Sequence, residues 1–322
     1  MKYLPVILIF FLLAPIALPE ESTQKDFGRE LSHSALFAPN TNYPYFEHTL
    51  SLDTDAEAYL SNAAFLAQCS MLIYVTDKEF VENALRKAGY SNIEYFDEKG
   101  AFAFLAEDSK NRILIFRGTE QTDKNDIRAN LKVSLVKLDQ RGRVHRGFKI
   151  ALGHIEEQIN KSLANRENSE PKTLWVAGHS QGGALATLWA IKNQNNAEGI
   201  YSIGAPRISD KKLTESLNET LPLFRFVNDN DYVPKIPVSL FYRHIGKTYF
   251  ISSSGNLEID PSHLSKFGMS VSGLNKYHAE VFQDRWMKGH FSAIPIDYYA
   301  DHSPLLYVEA LLQLCLSEKT TN

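Results

Sequence analysis

The stretch Ala177-Gly178-His179-Ser180-Gln181-Gly182-Gly183 decides how this chain reads. It follows the apolar run Thr173-Leu174-Trp175-Val176 and precedes the helix-like run Ala184–Ile191. The order is strand, tight turn, helix, with a serine at the turn. Gly178 and Gly182 stand two residues to either side of Ser180, where a Cβ would collide with so sharp an elbow. The start of the following helix offers N–H groups beside the hydroxyl, where an oxyanion would form. The flanking strand and Ala/Leu-rich helix make Ser180 a candidate nucleophile. The plainer alternative is a glycine-rich turn that only seats a helix on a sheet.

A serine hydroxyl is a poor nucleophile on its own. It needs an imidazole base, and the base needs an acid to fix its tautomer. With this kind of elbow the chain order is serine, acid, histidine. In open α/β sheets such groups collect at the carboxyl ends of strands. Leu223–Val227 reads as a strand, and Asn228-Asp229-Asn230-Asp231-Tyr232-Val233-Pro234 follows it. Asp231 is the preferred acid over Asp229, because it lies deeper in the loop and Pro234 stiffens what comes next. The alternative is an Asx-rich turn in which both carboxylates bond local N–H groups. The histidines after Asp231 are His244, His263, His278, His290 and His302. The base belongs on a loop between the last strand and the closing helix. Ile294–Tyr299 reads as extended, Asp301-His302-Ser303 is the loop behind it, and Pro304 suits a helix start. His302 is therefore the candidate base, with His290 as runner-up and the other three as packing or surface histidines. The oxyanion needs two donors. One is the N–H of Gln181; the other falls on Thr119, after the apolar strand Ile113-Leu114-Ile115-Phe116 and Gly118. Thr119 suits a turn cap equally well on these grounds.

Working outward, Asp55–Leu72 and Phe80–Ala88 have helical spacing, and Asp97 and Gly100 bound a turn. Ala101–Leu105 and Arg112–Phe116 read as a hairpin across Asp108-Ser109-Lys110-Asn111. Lys149–Leu163 reads as a helix and Gly199–Gly204 as a strand. In Pro304–Leu316, Leu305, Val308, Leu311, Leu312 and Cys315 share one helical face. Strands alternating with helices predict an α/β fold whose mostly parallel central sheet is flanked by helices.

The 322 residues suffice for one large α/β domain or two small ones. A net charge of -4 with no basic block argues against a nucleic-acid partner. Lys2 followed by the apolar run Val6–Leu13 reads as a secretory signal peptide, too short for an ordinary membrane span. The expected organisation is a signal at residues 1–18, an extended leader at 19–54 and the domain at 55–322. The expected location is outside the cytoplasm, secreted or periplasmic, or held at the membrane by an uncleaved signal. Cys69 and Cys315 are the only cysteines. They read either as one disulfide or as two buried thiols, and no metal-site spacing is present.

These pieces together resemble the fungal-type (class 3) triacylglycerol lipase family from about Asp55 to Leu316. The matching segments are Ile115-Phe116-Arg117-Gly118-Thr119, Val144-His145-Arg146-Gly147-Phe148, Gly178-His179-Ser180-Gln181-Gly182-Gly183-Ala184, Gly204-Ala205-Pro206-Arg207, Val227-Asn228-Asp229-Asn230-Asp231-Tyr232-Val233-Pro234 and Asp301-His302. The resemblance implies an α/β-hydrolase fold and hydrolysis of carboxylic esters of lipids, without a cofactor or metal. It carries the nucleophile onto Ser180, the acid onto Asp231, the base onto His302 and the oxyanion hydroxyl residue onto Thr119. It implies a structural role for His145 and tips Cys69 and Cys315 toward a disulfide. The implied partner is a lipid or ester substrate at a lipid–water interface, with no nucleic acid and no obligate protein partner. One departure stands out. The segment Glu120–Leu131, where the family carries an apolar lid, is polar apart from Ile127 and Leu131. An interfacial element needs an apolar face. The polar segment therefore favours smaller, more soluble esters, so an esterase or a phospholipase stands beside the lipase reading. Gln181, where many members have Leu, is expected to matter little because its backbone does the work. The rivals are a non-catalytic lipid-binding module and a transferase or peptidase using the same acyl-enzyme.

Overall fold

A computed structural model of the chain describes residues 36–37, 41–48, 50–119, 134–166, 170–193, 196–217, 220–262 and 300–321. The signal segment, the polar stretch Glu120–Leu131, the extended segment Ile294–Tyr299, and His263, His278 and His290 lie outside the described residues. In chain order the main elements are α1 (Tyr59–Leu72), α2 (Lys78–Lys87), β1 (Ser91–Glu98), β2 (Ala101–Glu107), β3 (Asn111–Phe116), β4 (Leu135–Asp139), β5 (Gly142–His145) and α3 (Arg146–Asn165). They continue with β6 (Thr173–His179), α4 (Gln181–Lys192), β7 (Gly199–Ile203), α5 (Lys211–Leu217), β8 (Leu223–Asn228), β9 (Lys247–Ile251), β10 (Leu257–Ile259) and α6 (Pro304–Thr321).

Eight strands form one sheet in the order β1-β2-β3-β6-β7-β8-β9-β10. From β3 through β9 all neighbours are parallel, while β1-β2-β3 and β9-β10 are antiparallel margins. The central strands β2, β3 and β7 are buried along their whole length, as a sheet covered on both faces requires. One face packs on α1 and α6, the other on α3, α4 and α5, and each face has its own apolar cluster. This is the α/β sandwich expected from the alternation of elements. Local chemistry sets the turns. Lys99 and Gly100 both have positive φ in the two-residue loop joining β1 to β2, as a hairpin of matching twist needs. Asp108 accepts from the N–H groups of Lys110 and Asn111 at 2.7 and 2.5 Å in the β2–β3 turn.

Several elements carry little sequence signal. The edge strand β1 is Ser-Asn-Ile-Glu-Tyr-Phe-Asp-Glu, with a bulge near Asn92 and mostly solvated side chains. Charges and bulges are how edges resist further pairing, and they also erase a clean alternation. The β4–β5 hairpin, α5, β9 and β10 are likewise short or partly exposed. The expected disulfide is corrected. Cys69 on α1 and Cys315 on α6 lie in the same apolar cluster on two helices that touch, yet no bridge joins them. Both behave as small buried apolar groups, and burial pushes the Cys69 thiol up.

Candidate active site

The elbow is shaped by backbone contact. In β6, Gly178 pairs with Phe116 of β3 and His179 with Ile203 of β7. The chain then turns at Ser180 with φ 58° and ψ -128°, and the Ser180 N–H bonds Ile203 O at 2.8 Å. A non-glycine residue in that region carries about 1–3 kcal/mol of strain, held in place by its surroundings. A Cβ on Gly178 would overlap the Gly182 carbonyl, and one on Gly182 would overlap the carbonyl oxygen of Phe116. A Cβ on Gly183 would stand 2.7 Å from Gly178 O. Three glycines thus let β3, β6 and α4 approach closely. Ser180 sits at the N-cap of α4 but makes no cap bond to its own helix.

Its hydroxyl goes elsewhere. Ser180 Oγ lies 2.9 Å from His302 Nε2, and His302 Nδ1 lies 2.9 Å from Asp231 Oδ2. All three side chains are buried. The partners set the tautomer: the carboxylate accepts a hydrogen bond from Nδ1–H, which leaves Nε2 as acceptor for the serine hydroxyl. Asp229, the competing acid, has φ 37° and donates its N–H to Ile251 O at 2.8 Å, while Asp231 is the one that reaches the imidazole. His244 Nε2 bonds Pro234 O at 2.7 Å, consistent with a packing histidine.

Asp231 is held on both oxygens. Oδ1 accepts from Val233 N at 2.8 Å, and Oδ2 accepts from the Tyr307 hydroxyl at 2.6 Å. Tyr307 Oη in turn accepts from Asn228 N at 3.0 Å. Burial first, then the adjacent Asp231 charge, push the Tyr307 phenol well above its ordinary value, so it stays a donor. The acid loop and the base loop are cross-tied. Asn228 Nδ2 donates to Asp301 O at 3.1 Å, and Asn230 N donates to Asp301 Oδ2 at 3.0 Å.

Behind the imidazole lies a second histidine. His179 Nε2 is 2.9 Å from the backbone oxygen of His302, and His179 Nδ1 is 3.1 Å from the Tyr74 hydroxyl. The two imidazole rings face each other with centroids 4.7 Å apart. Burial holds His179 well below its ordinary value, so the ring is neutral.

On the oxyanion side, Thr119 Oγ1 donates to Gln181 Oε1 at 2.5 Å. The Gln181 side chain, expected to be idle, therefore engages Thr119, the candidate oxyanion residue. His145 caps α3: its Nδ1 accepts from the N–H groups of Gly147 and Phe148 at 3.1 and 3.4 Å. Among the described residues no cluster of three or more His, Cys, Asp and Glu could hold a metal ion, and no helix is long and apolar enough to cross a membrane.

Sequence reasoning missed Tyr307, Tyr74, His179 and Asn228 as neighbours of the site. Tyr307 had a usable signal: it is a phenol on the buried face of a helix whose first turn follows the base. His179 lies inside the quoted motif, whose spacing gives no sign of the partners its ring reaches.

Residues 113–241 match the family model described as lipase (class 3). A lipase of Rhizomucor miehei is 30% identical over 122 residues, which is 35% of this chain and 34% of that protein. A secreted mono- and diacylglycerol lipase A of Penicillium camembertii is 32% identical over 130 residues, 39% of this chain and 41% of that protein. The chain thus spans well under half the length of these curated relatives. The solved structure of Lip2 lipase from Yarrowia lipolytica shares the fold, with a TM-score of 0.56 at 20% identity over 70% of this chain and 92% of that one.

Proposed function

We propose, from the match of residues 113–241 to the class 3 lipase model and the likeness to named lipases, that this chain is a member of that family. The proposal is that it hydrolyses carboxylic esters of lipids through an acyl-enzyme, as a secreted serine hydrolase. The observation that carries it is the unbroken hydrogen-bonded line from Ser180 Oγ through His302 to Asp231.

In this reading Ser180 Oγ attacks the ester carbonyl while His302 Nε2 takes its proton. Asp231 Oδ2 stabilises the imidazolium and keeps the Nδ1 proton in place. The tetrahedral oxyanion forms against the N–H of Gln181 and against Thr119. The Thr119 hydroxyl proton is directed at Gln181 Oε1, so the hydroxyl must turn from that partner to serve the oxyanion. His302 then returns its proton to the leaving alkoxide. Water, deprotonated by the same imidazole, attacks the acyl-enzyme; the Ser180 Oγ–acyl bond breaks, the imidazolium returns its proton to Ser180 Oγ, and the acid is released.

Three observations bear on the substrate. The loop just past Asp231 exposes Val238, Leu240 and Phe241, at 59%, 75% and 60% of their full areas. Apolar exposure in the loop that follows the acid suits contact with a lipid surface. The relatives named as lipases, one of them for mono- and diacylglycerols, support lipid esters. The polar composition of Glu120–Leu131 favours the second reading, an esterase for smaller soluble esters. The signal-like residues 1–18 and the relative named as secreted support export.

The test replaces the nucleophile. Ser180→Ala is expected to reduce hydrolysis of p-nitrophenyl butyrate and of emulsified tributyrin by about 10⁶-fold, with unchanged thermal unfolding. Wild-type turnover by that variant would end the proposal. The ratio of emulsion to soluble-ester activity in the wild type separates the two substrate readings.

A further inference from the structure

We propose that His179 is a positioning residue for the base, tying the loop that carries His302 to the loop that carries the oxyanion donor through Tyr74. The inference deepens the ester-hydrolase reading and rests on it.

The protonation pattern follows from the partners. A backbone carbonyl only accepts, so His179 Nε2 must carry the hydrogen that bonds His302 O at 2.9 Å. A neutral ring then leaves Nδ1 bare, and the Tyr74 hydroxyl donates to it at 3.1 Å. The line reads Tyr74 O–H to His179 Nδ1, then His179 Nε2–H to the carbonyl of His302. Each of its links crosses more than a hundred residues of chain. A buried imidazole without partners would be costly. Here both nitrogens are satisfied, and one of them is spent on the backbone of the base itself.

The other end of the line touches the oxyanion loop. A Cβ on Gly118 would overlap the Tyr74 hydroxyl and would stand 2.7 Å from His179 O and 3.2 Å from Ser180 Cβ. The residue before Thr119 is therefore in contact with Tyr74, with the His179 backbone and with the nucleophile. The Asp231 carboxylate fixes the His302 ring from its Nδ1 side. His179 fixes the same residue from its main chain and faces its ring at 4.7 Å. The imidazole must present Nε2 first to the serine and then to the leaving oxygen. Small misplacements of such a group are expensive in rate.

A plain core histidine makes a different prediction, because an apolar side chain of similar volume would then serve as well. The experiment compares His179→Leu, His179→Gln and Tyr74→Phe in the full chain. Active sites are counted by stoichiometric phosphonate labelling, and kcat and KM are measured on p-nitrophenyl butyrate. The amide nitrogen of Gln can take the place of imidazole Nε2 as donor to His302 O. His179→Leu is expected to lose about 10- to 100-fold in kcat per labelled site with KM unchanged. His179→Gln should recover most of that loss, and Tyr74→Phe should fall between the two. Wild-type kcat in His179→Leu, or equal losses in the Leu and Gln variants, overturns the proposal. If neither position-179 variant folds, unchanged kcat in Tyr74→Phe overturns it. Failure of the wild type to label at Ser180 sinks the hydrolase reading instead, so the two failures are told apart.

Discussion

The turn that carries Ser180 is held by main chain, whereas the loops that carry Asp231 and His302 are held by side chains. Around Ser180, three glycines admit carbonyls of neighbouring elements, and Ser180 N bonds Ile203 O at 2.8 Å. Around the acid and base, the ties are Tyr307 Oη, Asn228 Nδ2, Asp301 Oδ2 and His302 Nδ1. The first construction depends on close approach of backbones, so an added atom there disturbs the sheet. The second depends on polar partners, so an isosteric change there removes chemistry and leaves the fold. Damage to the two regions should therefore look different.

The largest effect belongs to the elbow. In Gly182→Ala the new Cβ would overlap the Phe116 carbonyl oxygen and stand 2.8 and 2.9 Å from the carbonyl carbons of Phe116 and Arg117. Backbone on both sides must shift. The expected loss exceeds about 4 kcal/mol, read as a lowered urea midpoint or insoluble protein. A variant with the wild-type midpoint breaks the comparison. Next comes Asp231→Asn. The amide keeps the shape but not the charge or the tautomer control, and kcat should fall by about 10⁴-fold. Its urea midpoint should stay near the wild-type value. If this variant unfolds, the acid loop is structural after all and the contrast between the halves fails.

That contrast also explains what could be read from the sequence. Gly178-x-Ser180-x-Gly182 announces its own geometry because sterics forbid anything larger, and β2, β3 and β6 announce themselves as continuous apolar runs. Asp231 and His302 could be proposed only from chain order and strand ends. Only depth in the loop and the following Pro234 favour Asp231 over Asp229 locally; the choice is made by Tyr307 Oη, 76 residues away, and by the imidazole 71 residues away. Tyr74 and His179 were illegible for the same reason, since a hydrogen bond across 105 residues leaves no spacing to find. β1 was hidden by the charges that protect an edge. Cys69 and Cys315 were placed correctly on helices that meet, but adjacency of helices does not make a bridge.

A titratable hold in the nucleophile half sharpens the comparison through pH. His145 Nδ1 caps α3, the helix that packs on α4 behind the elbow. Burial pushes its pKa down from 6.5 to about 4. The folded value lies below the unfolded one, so the stabilisation is complete above pH 6.5. As pH falls from 6.5 toward 4 the unfolded chain binds a proton that the folded chain refuses, and stability is lost. The full loss is on the order of 3 kcal/mol. His145→Asn keeps a capping oxygen that does not titrate. Urea melts between pH 7 and 4 should show a shallower decline for this variant than for the wild type. Parallel declines would mean that His145 is not the sensitive group.

The smallest effect comes from the acid half and tests whether its ties act as one unit. Tyr307→Phe removes the oxygen that donates to Asp231 Oδ2 at 2.6 Å and accepts from Asn228 N at 3.0 Å. The Asn228 N–H loses that acceptor in a buried place, a cost of about 1–3 kcal/mol in stability. Asp231 keeps His302 and the Val233 N–H, so catalysis should survive with a roughly tenfold lower kcat, about 1.4 kcal/mol. The informative measurement is the double variant with Asp231→Asn. If Tyr307 acts by holding the carboxylate, its loss should lower kcat little further once the carboxylate is gone, and the two effects fall short of adding. Full additivity would place the influence of Tyr307 outside Asp231, in the Asn228–Asp301 tie, and would divide the acid–base half into two independent holds.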